Sequence, residues 1–115
     1  VSVPHPIPDD LAALVAERFR LLAEPMRIRL LDDLRDGPLT VGALAERLGT
    51  SQQNVSKHLG LLYAGGLVHR AKQGTCVAYS IADATVFDLC ERVCGGIGRH
   101  LHRELAVLSD AGVSR

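Results

Sequence analysis

Apolar residues in the first half of the chain recur at helical spacing. Leu11, Leu14, Val15, Phe19 and Leu22 form one stripe between Asp9 and about Ala23, which predicts a first amphipathic helix with these residues on its buried face. Asp9 or Asp10 is placed to cap it. Glu24-Pro25 opens a second helix, because proline suits the first helical position. Met26, Ile28, Leu30, Leu31 and Leu34 fill its inner side, and Gly37-Pro38 stops it. Thr40 caps a short third helix in which Leu44, Ala45 and Leu48 share a face, and Gly49-Thr50 ends it. Val55, Leu59 and Leu62 make a fourth stripe, closed by Gly65-Gly66. Leu67 to Lys72 and Cys76 to Ile81 then read as two strands joined at Gln73-Gly74-Thr75. Asp83 is placed to cap a last helix that starts at Ala84 and carries Val86, Leu89, Val93 and Ile97. Gly95, Gly96 and Gly98 interrupt it, each at a cost of ~1 kcal/mol against alanine in a helix interior. Close backbone approach to a second chain, or a break, is expected there, with a final segment from Arg99 to about Asp110. Residues 1–8, with Pro4, Pro6 and Pro8, read as a flexible arm and residues 9–112 as one domain.

The third and fourth helices, joined by a tight turn, form a helix-turn-helix candidate. Ser51, Gln52, Gln53, Asn54, Ser56, Lys57 and His58 fall largely opposite the apolar stripe of the fourth helix. Gln, Ser, Lys and His on one exposed helix face are what base-edge and phosphate contacts require. The same residues also suit an ordinary helical hairpin with a solvated polar face. The strand pair that follows favours DNA binding, since a hairpin after a recognition helix is a wing. Arg70, Lys72 and Gln73 are placed on it to grip the flanking backbone. The predicted architecture is mainly α with a small β-hairpin, a winged helix-turn-helix.

Composition changes this picture in two ways. The formal charge is zero, which speaks against a nucleic-acid binder. Yet no Asp or Glu lies between Leu48 and Ala82, where Lys57, Arg70 and Lys72 stand with His58 and His69. Three cations per chain is a thin basic face, so a dimer presenting two such faces is the better DNA-binding unit. A chain of 115 residues also gains buried surface by dimerising. The three cysteines are an odd number, which argues against a secreted disulfide framework and for a reducing cytoplasm. The N-terminal stretch lacks a basic region before an apolar run, so no secretory signal is expected, and no apolar run reaches membrane-spanning length. No nucleophile–base pair, phosphate-cradling loop or paired carboxylate set suggests an enzyme.

With helix, helix, helix-turn-helix, wing and helix in that order, the chain resembles the ArsR/SmtB family of bacterial winged-helix repressors. The likeness runs from about Phe19 to Leu89. It rests on Leu22-Ala-Glu-Pro-Met-Arg-Ile-Arg-Leu-Leu31, on Val55-Ser-Lys-His-Leu59, and on Gly66-Leu-Val68 followed by Gly74 and Tyr79-Ser-Ile81. The resemblance implies a homodimer through the first and last helices, a recognition helix at about Ser51 to Tyr63, and a double-stranded operator with imperfect palindromic symmetry. It also implies an inducer, often a metal ion, that lowers DNA affinity. The family's usual ligand positions are not filled here. Asp83 matches the first metal ligand of the last helix, but the next falls on Thr85 and the later pair on Gly96 and Arg99. The third helix reads Thr40-Val-Gly-Ala-Leu44, without the cysteines that soft-metal sensors carry there.

Two other constellations are candidates for sensing. His100 and Glu104 share a helix face, and His102 joins them only if the helix loosens after the glycines. His5 on the arm is a further ligand candidate, as some family members recruit that arm to a nickel or cobalt site. This donor mix suits nickel or zinc. Cys90 and Cys94, one helical turn apart, form the alternative, a thiol site for a soft metal, arsenic, an oxidant or a persulfide, with Cys76 from the wing as a third thiol. Buried core cysteines and solvated histidines are the plainer readings of both sets. A regulator whose effector is sensed by a separate partner protein is the remaining alternative.

Overall fold

A computed structural model describes residues 2–110. The expected end of the domain at residue 112, like Val1 of the arm, lies outside the described residues. The elements run α1 (Asp9–Leu22), α2 (Pro25–Asp33), a 3-10 turn (Leu34–Asp36), β1 (Leu39–Thr40), α3 (Val41–Leu48), α4 (Gln52–Ala64), β2 (Val68–Gln73), β3 (Cys76–Ile81) and α5 (Thr85–Asp110). The chain divides between Asp83 and Ala84 into two compact units.

The first unit is built where local signals agree. Pro25 sits in the first turn of α2, and the Glu24 carboxylate accepts from Met26 N at 3.0 Å. Thr40 Oγ1 accepts from Ala43 N at 3.2 Å and Ser51 Oγ from Asn54 N at 3.1 Å, so each helix of the helix-turn-helix starts on a side-chain cap. Gly49 ends α3 in the left-handed region at φ 65°, where a Cβ is penalised. Leu30, Leu31, Leu34, Leu44, Val55, Leu59, Leu62, Leu67 and Val68 are buried to within 2% exposure and make the core that fixes α3 against α4.

The sheet extends beyond the wing hairpin. Leu39 and Thr40 add a short strand, so the sheet has three antiparallel strands in the order β1-β3-β2, with Leu39 opposite Tyr79. Between β2 and β3, Gly74 has φ 63° and Thr75 has a negative φ, the pattern of a II′ hairpin turn. Gln73 pairs with Cys76 across it.

Four expectations are corrected. Asp9 and Asp10 lie in the first turn of α1 behind Pro8, which provides no side-chain cap; they act on the helix dipole instead. The apolar face of α1 is not buried, with Leu14 67% and Phe19 51% exposed. Ile28 is also largely exposed on α2. In the second unit α5, 26 residues long, runs unbroken through Gly95, Gly96 and Gly98. Their propensity cost is a weak local term, smaller than the bonds that helix propagation gains on either side. That helix exposes Val93, Ile97, Leu101, Leu105 and Leu108, spaced by three or four residues. Among the described residues no helix is long and apolar enough to cross a membrane.

Candidate nucleic-acid interface

The helix-turn-helix is rigid at its turn. Asn54 Nδ2 donates to Thr50 Oγ1 at 3.1 Å, while Asn54 N is held by Ser51. Ser51 and Asn54 are thus engaged in building the turn. From there α4 separates its faces. Val55, Leu59 and Leu62 are buried, whereas Gln52, Gln53, Ser56 and Lys57 are exposed. Gly60 continues the exposed row with open space around its Cβ position. A groove of about 310 Å³ runs from Gln52 and Ser56 to the wing tip at Thr75 and Cys76.

The wing supplies the cations. Val68, Arg70 and Lys72 share one face of β2, so Arg70 and Lys72 point the same way, and Gln73 points to the other face. The guanidinium of Arg70 stacks on the Tyr63 ring at 4.2 Å from its centroid, which fixes it beside the end of α4. Tyr63 was not among the predicted site residues. Its signal was an aromatic at the polar edge of the recognition helix, where the apolar stripe does not need it.

His58 is the clear departure from expectation. It is 8% exposed, faces inward, and its Nδ1 lies 3.1 Å from Arg27 Nη1. Val55, His58, Leu59 and Leu62 keep the i, i+3, i+4, i+7 spacing of a buried stripe, so the ring belongs to the inner face and cannot reach a groove.

The effector candidates are only partly assembled. His100 Nε2 and Glu104 Oε1 are 4.0 Å apart on adjacent turns of α5. Because α5 stays regular, His102 turns to another side, and the loosening that would have joined it to His100 does not occur. Cys90 and Cys94 share a face, Cys90 half-buried and Cys94 exposed. Cys76 is exposed on the wing, and His5 lies in the exposed stretch before α1. Among the described residues no group of three His, Cys, Asp or Glu could hold a metal ion. Among the described residues the donors come at most in pairs.

An anchored helix-turn-helix with an exposed polar row and a cationic wing defines a winged helix-turn-helix DNA-binding protein. Comparison with known proteins places it further. Residues 22–71 match the family described as Helix-turn-helix domain. The HTH-type transcriptional regulator KmtR of Mycobacterium tuberculosis is 38% identical over 109 residues, covering 89% of this chain and 83% of that protein. A probable mercury resistance operon repressor of Streptomyces lividans is 38% identical over 88 residues, 76% of this chain and 67% of that protein. The solution structure of Mb0332 from Mycobacterium bovis, a homodimeric winged helix-turn-helix DNA-binding domain, superposes with a TM-score of 0.69 at 33% identity, covering 82% of this chain and 87% of that one. The chain belongs to the ArsR/SmtB family of winged helix-turn-helix transcriptional regulators. It is a DNA-binding regulator and not an enzyme.

Proposed function

We propose that this chain is a cytoplasmic, homodimeric repressor that places α4 of each copy in successive major grooves of an imperfectly palindromic operator. The observation that carries the reading is the exposed row Gln52, Gln53, Ser56 and Lys57, set opposite a fully buried stripe and beside an Arg70 held on Tyr63. Gln53 and Gln52 offer the donor–acceptor pairs that read base edges, and Lys57, Arg70 and Lys72 neutralise phosphates. The Mycobacterium bovis relative is a homodimer, and each unit by itself exposes apolar residues suited to such an interface, Leu14 and Phe19 on α1 in the first and the apolar row of α5 in the second.

The effector reading is a metal ion that lowers operator affinity. His100 and Glu104 are its ligands on α5, suited to nickel or zinc, and the set is completed from outside the pair because two donors do not fill such a site. The Cys90/Cys94 pair supports a second reading, a thiophilic metal, in keeping with the mercury-resistance relative. Titrating nickel, zinc, cobalt and mercury(II) against the operator complex tests both, using His100→Ala and a Cys90→Ser/Cys94→Ser variant. Release that survives both sets of substitutions contradicts both sites. Because coupling is reciprocal, operator binding must weaken metal affinity by the same factor.

A further inference from the structure

One half-buried side chain ties the end of α1 to the recognition helix. Arg27, on α2, donates from Nε to the Leu21 carbonyl at 2.6 Å and from Nη2 to the Arg20 carbonyl at 3.3 Å. Both carbonyls belong to the last turn of α1, where acceptors lack the regular i+4 partner; that of Arg20 also accepts from Ala23 N at 3.2 Å. The remaining Nη1 reaches Nδ1 of His58 at 3.1 Å, near the middle of α4. A guanidinium only donates, so Nδ1 must present its lone pair and the ring proton resides on Nε2. The same turn of α1 also rests on the end of α4, because a Cβ added at Gly65 would collide with the Leu21 side chain.

Resting on the DNA-binding reading above, we propose that Arg27 and His58 are positioning residues, their hydrogen bond holding α4 in its DNA-reading pose against α1 until protonation of His58 releases it. A proton on Nδ1 consumes the lone pair that Arg27 uses and sets two cations side by side. Arg27 keeps its carbonyl acceptors on α1, so the contact that fails is the one to α4. Burial holds the His58 pKa below its ordinary 6.5; Arg27 and Lys57 lower it further, and Glu24 opposes them. A depressed folded-state value means that His58 favours the fold above pH 6.5 and that this support is lost as pH falls through the folded value. The direction is diagnostic for DNA binding too. Positive charge added at the interface strengthens phosphate attraction, so an acid-induced loss of affinity runs against the electrostatic trend and points to a lost structural contact.

The test uses a duplex that the wild-type chain selects from a random pool, with affinity measured at fixed salt from an upper pH near about 7.5 down to the lowest pH at which circular dichroism shows the chain still folded, because the His58 value lies below the ordinary 6.5. Wild type should weaken as the pH falls below 6.5 through the folded value, by up to about tenfold once His58 is protonated, the effect of losing one hydrogen bond to a charged group; no acid loss in wild type while the chain stays folded overturns the proposal. His58→Asn keeps an acceptor near the Nδ1 position but does not titrate; it should match wild type at the upper pH and lose little at the lower. His58→Leu should be about tenfold weaker at both, for want of the same bond. An acid loss in His58→Asn equal to that of wild type overturns the proposal, as does full affinity in His58→Leu. If His58→Leu fails to fold, the wild-type and His58→Asn profiles still decide. Failure of wild type to select any duplex overturns the interface reading itself, an outcome distinct from these.

Discussion

Lys72→Ala offers a quantitative test of the wing. Lys72 is exposed at the far part of β2, on the same face as Arg70, with Val77 opposite it across the ladder. Truncating it removes no buried contact, so folding stability should change by no more than about 0.5 kcal/mol. Its effect on DNA binding follows from counterion release. Lys57, Arg70 and Lys72 are the Lys and Arg residues of the acid-free stretch that forms the interface. A homodimer presenting them twice neutralises about six phosphates, which sets the slope of log affinity against log salt near −5.4. The variant keeps about four, and the slope falls to near −3.6. Raising salt from about 50 to 200 mM should therefore weaken wild type about two-thousandfold but Lys72→Ala only about 150-fold. Fluorescence anisotropy on a labelled duplex at one fixed alkaline pH measures both slopes. An unchanged slope would refute the placement of Lys72 on phosphate. A loss confined to the cognate sequence would refute its sequence-independent role.

Three other substitutions probe different layers of the account. Gln53→Ala should cost ~1–3 kcal/mol on selected DNA and relax preference at one base pair, checked by binding to a panel of single-base variants; equal loss on scrambled DNA would contradict base reading. Leu59→Ala, at 0% exposure on the inner face of α4, should destabilise the fold by about 2–5 kcal/mol in chemical denaturation, and a cost below 1 kcal/mol would mean that the stripe is not core. Leu101→Glu, on the exposed apolar row of α5, should shift sedimentation towards a single chain while α4 and the wing keep their fold; an unaltered dimer would move the interface elsewhere.

Much of this architecture was legible because local signals in the first unit agree with its packing. Pro25, Thr40, Ser51 and Gly49 each mark a helix boundary through a specific backbone or capping requirement, and Gly74 marks the hairpin through its positive φ. What escaped depends on distant partners. Leu39 and Thr40 become a strand only because Tyr79 and Ala78 lie opposite, and no dipeptide announces that pairing. The fate of the glycines in α5 likewise could not be settled by propensity, since a continuous helix on both sides outweighs their local cost. His58 is instructive for a different reason. Its polarity suggested the outer face while its spacing from Val55 and Leu62 specified the inner one, and Arg27 made burial tolerable by hydrogen bonding. Tyr63 and Arg70 meet only once the sheet folds back beside α4. The effector donors remain pairs because one chain does not gather a third ligand among its described residues.

Hydroxyl-radical footprinting of a duplex selected by the protein tests the central claim most directly. Two recognition helices carried by one dimer should protect two segments centred about one helical turn apart, roughly 10 bp, or a multiple of it. A single protected segment, or uniform cleavage at low salt, would contradict paired groove reading.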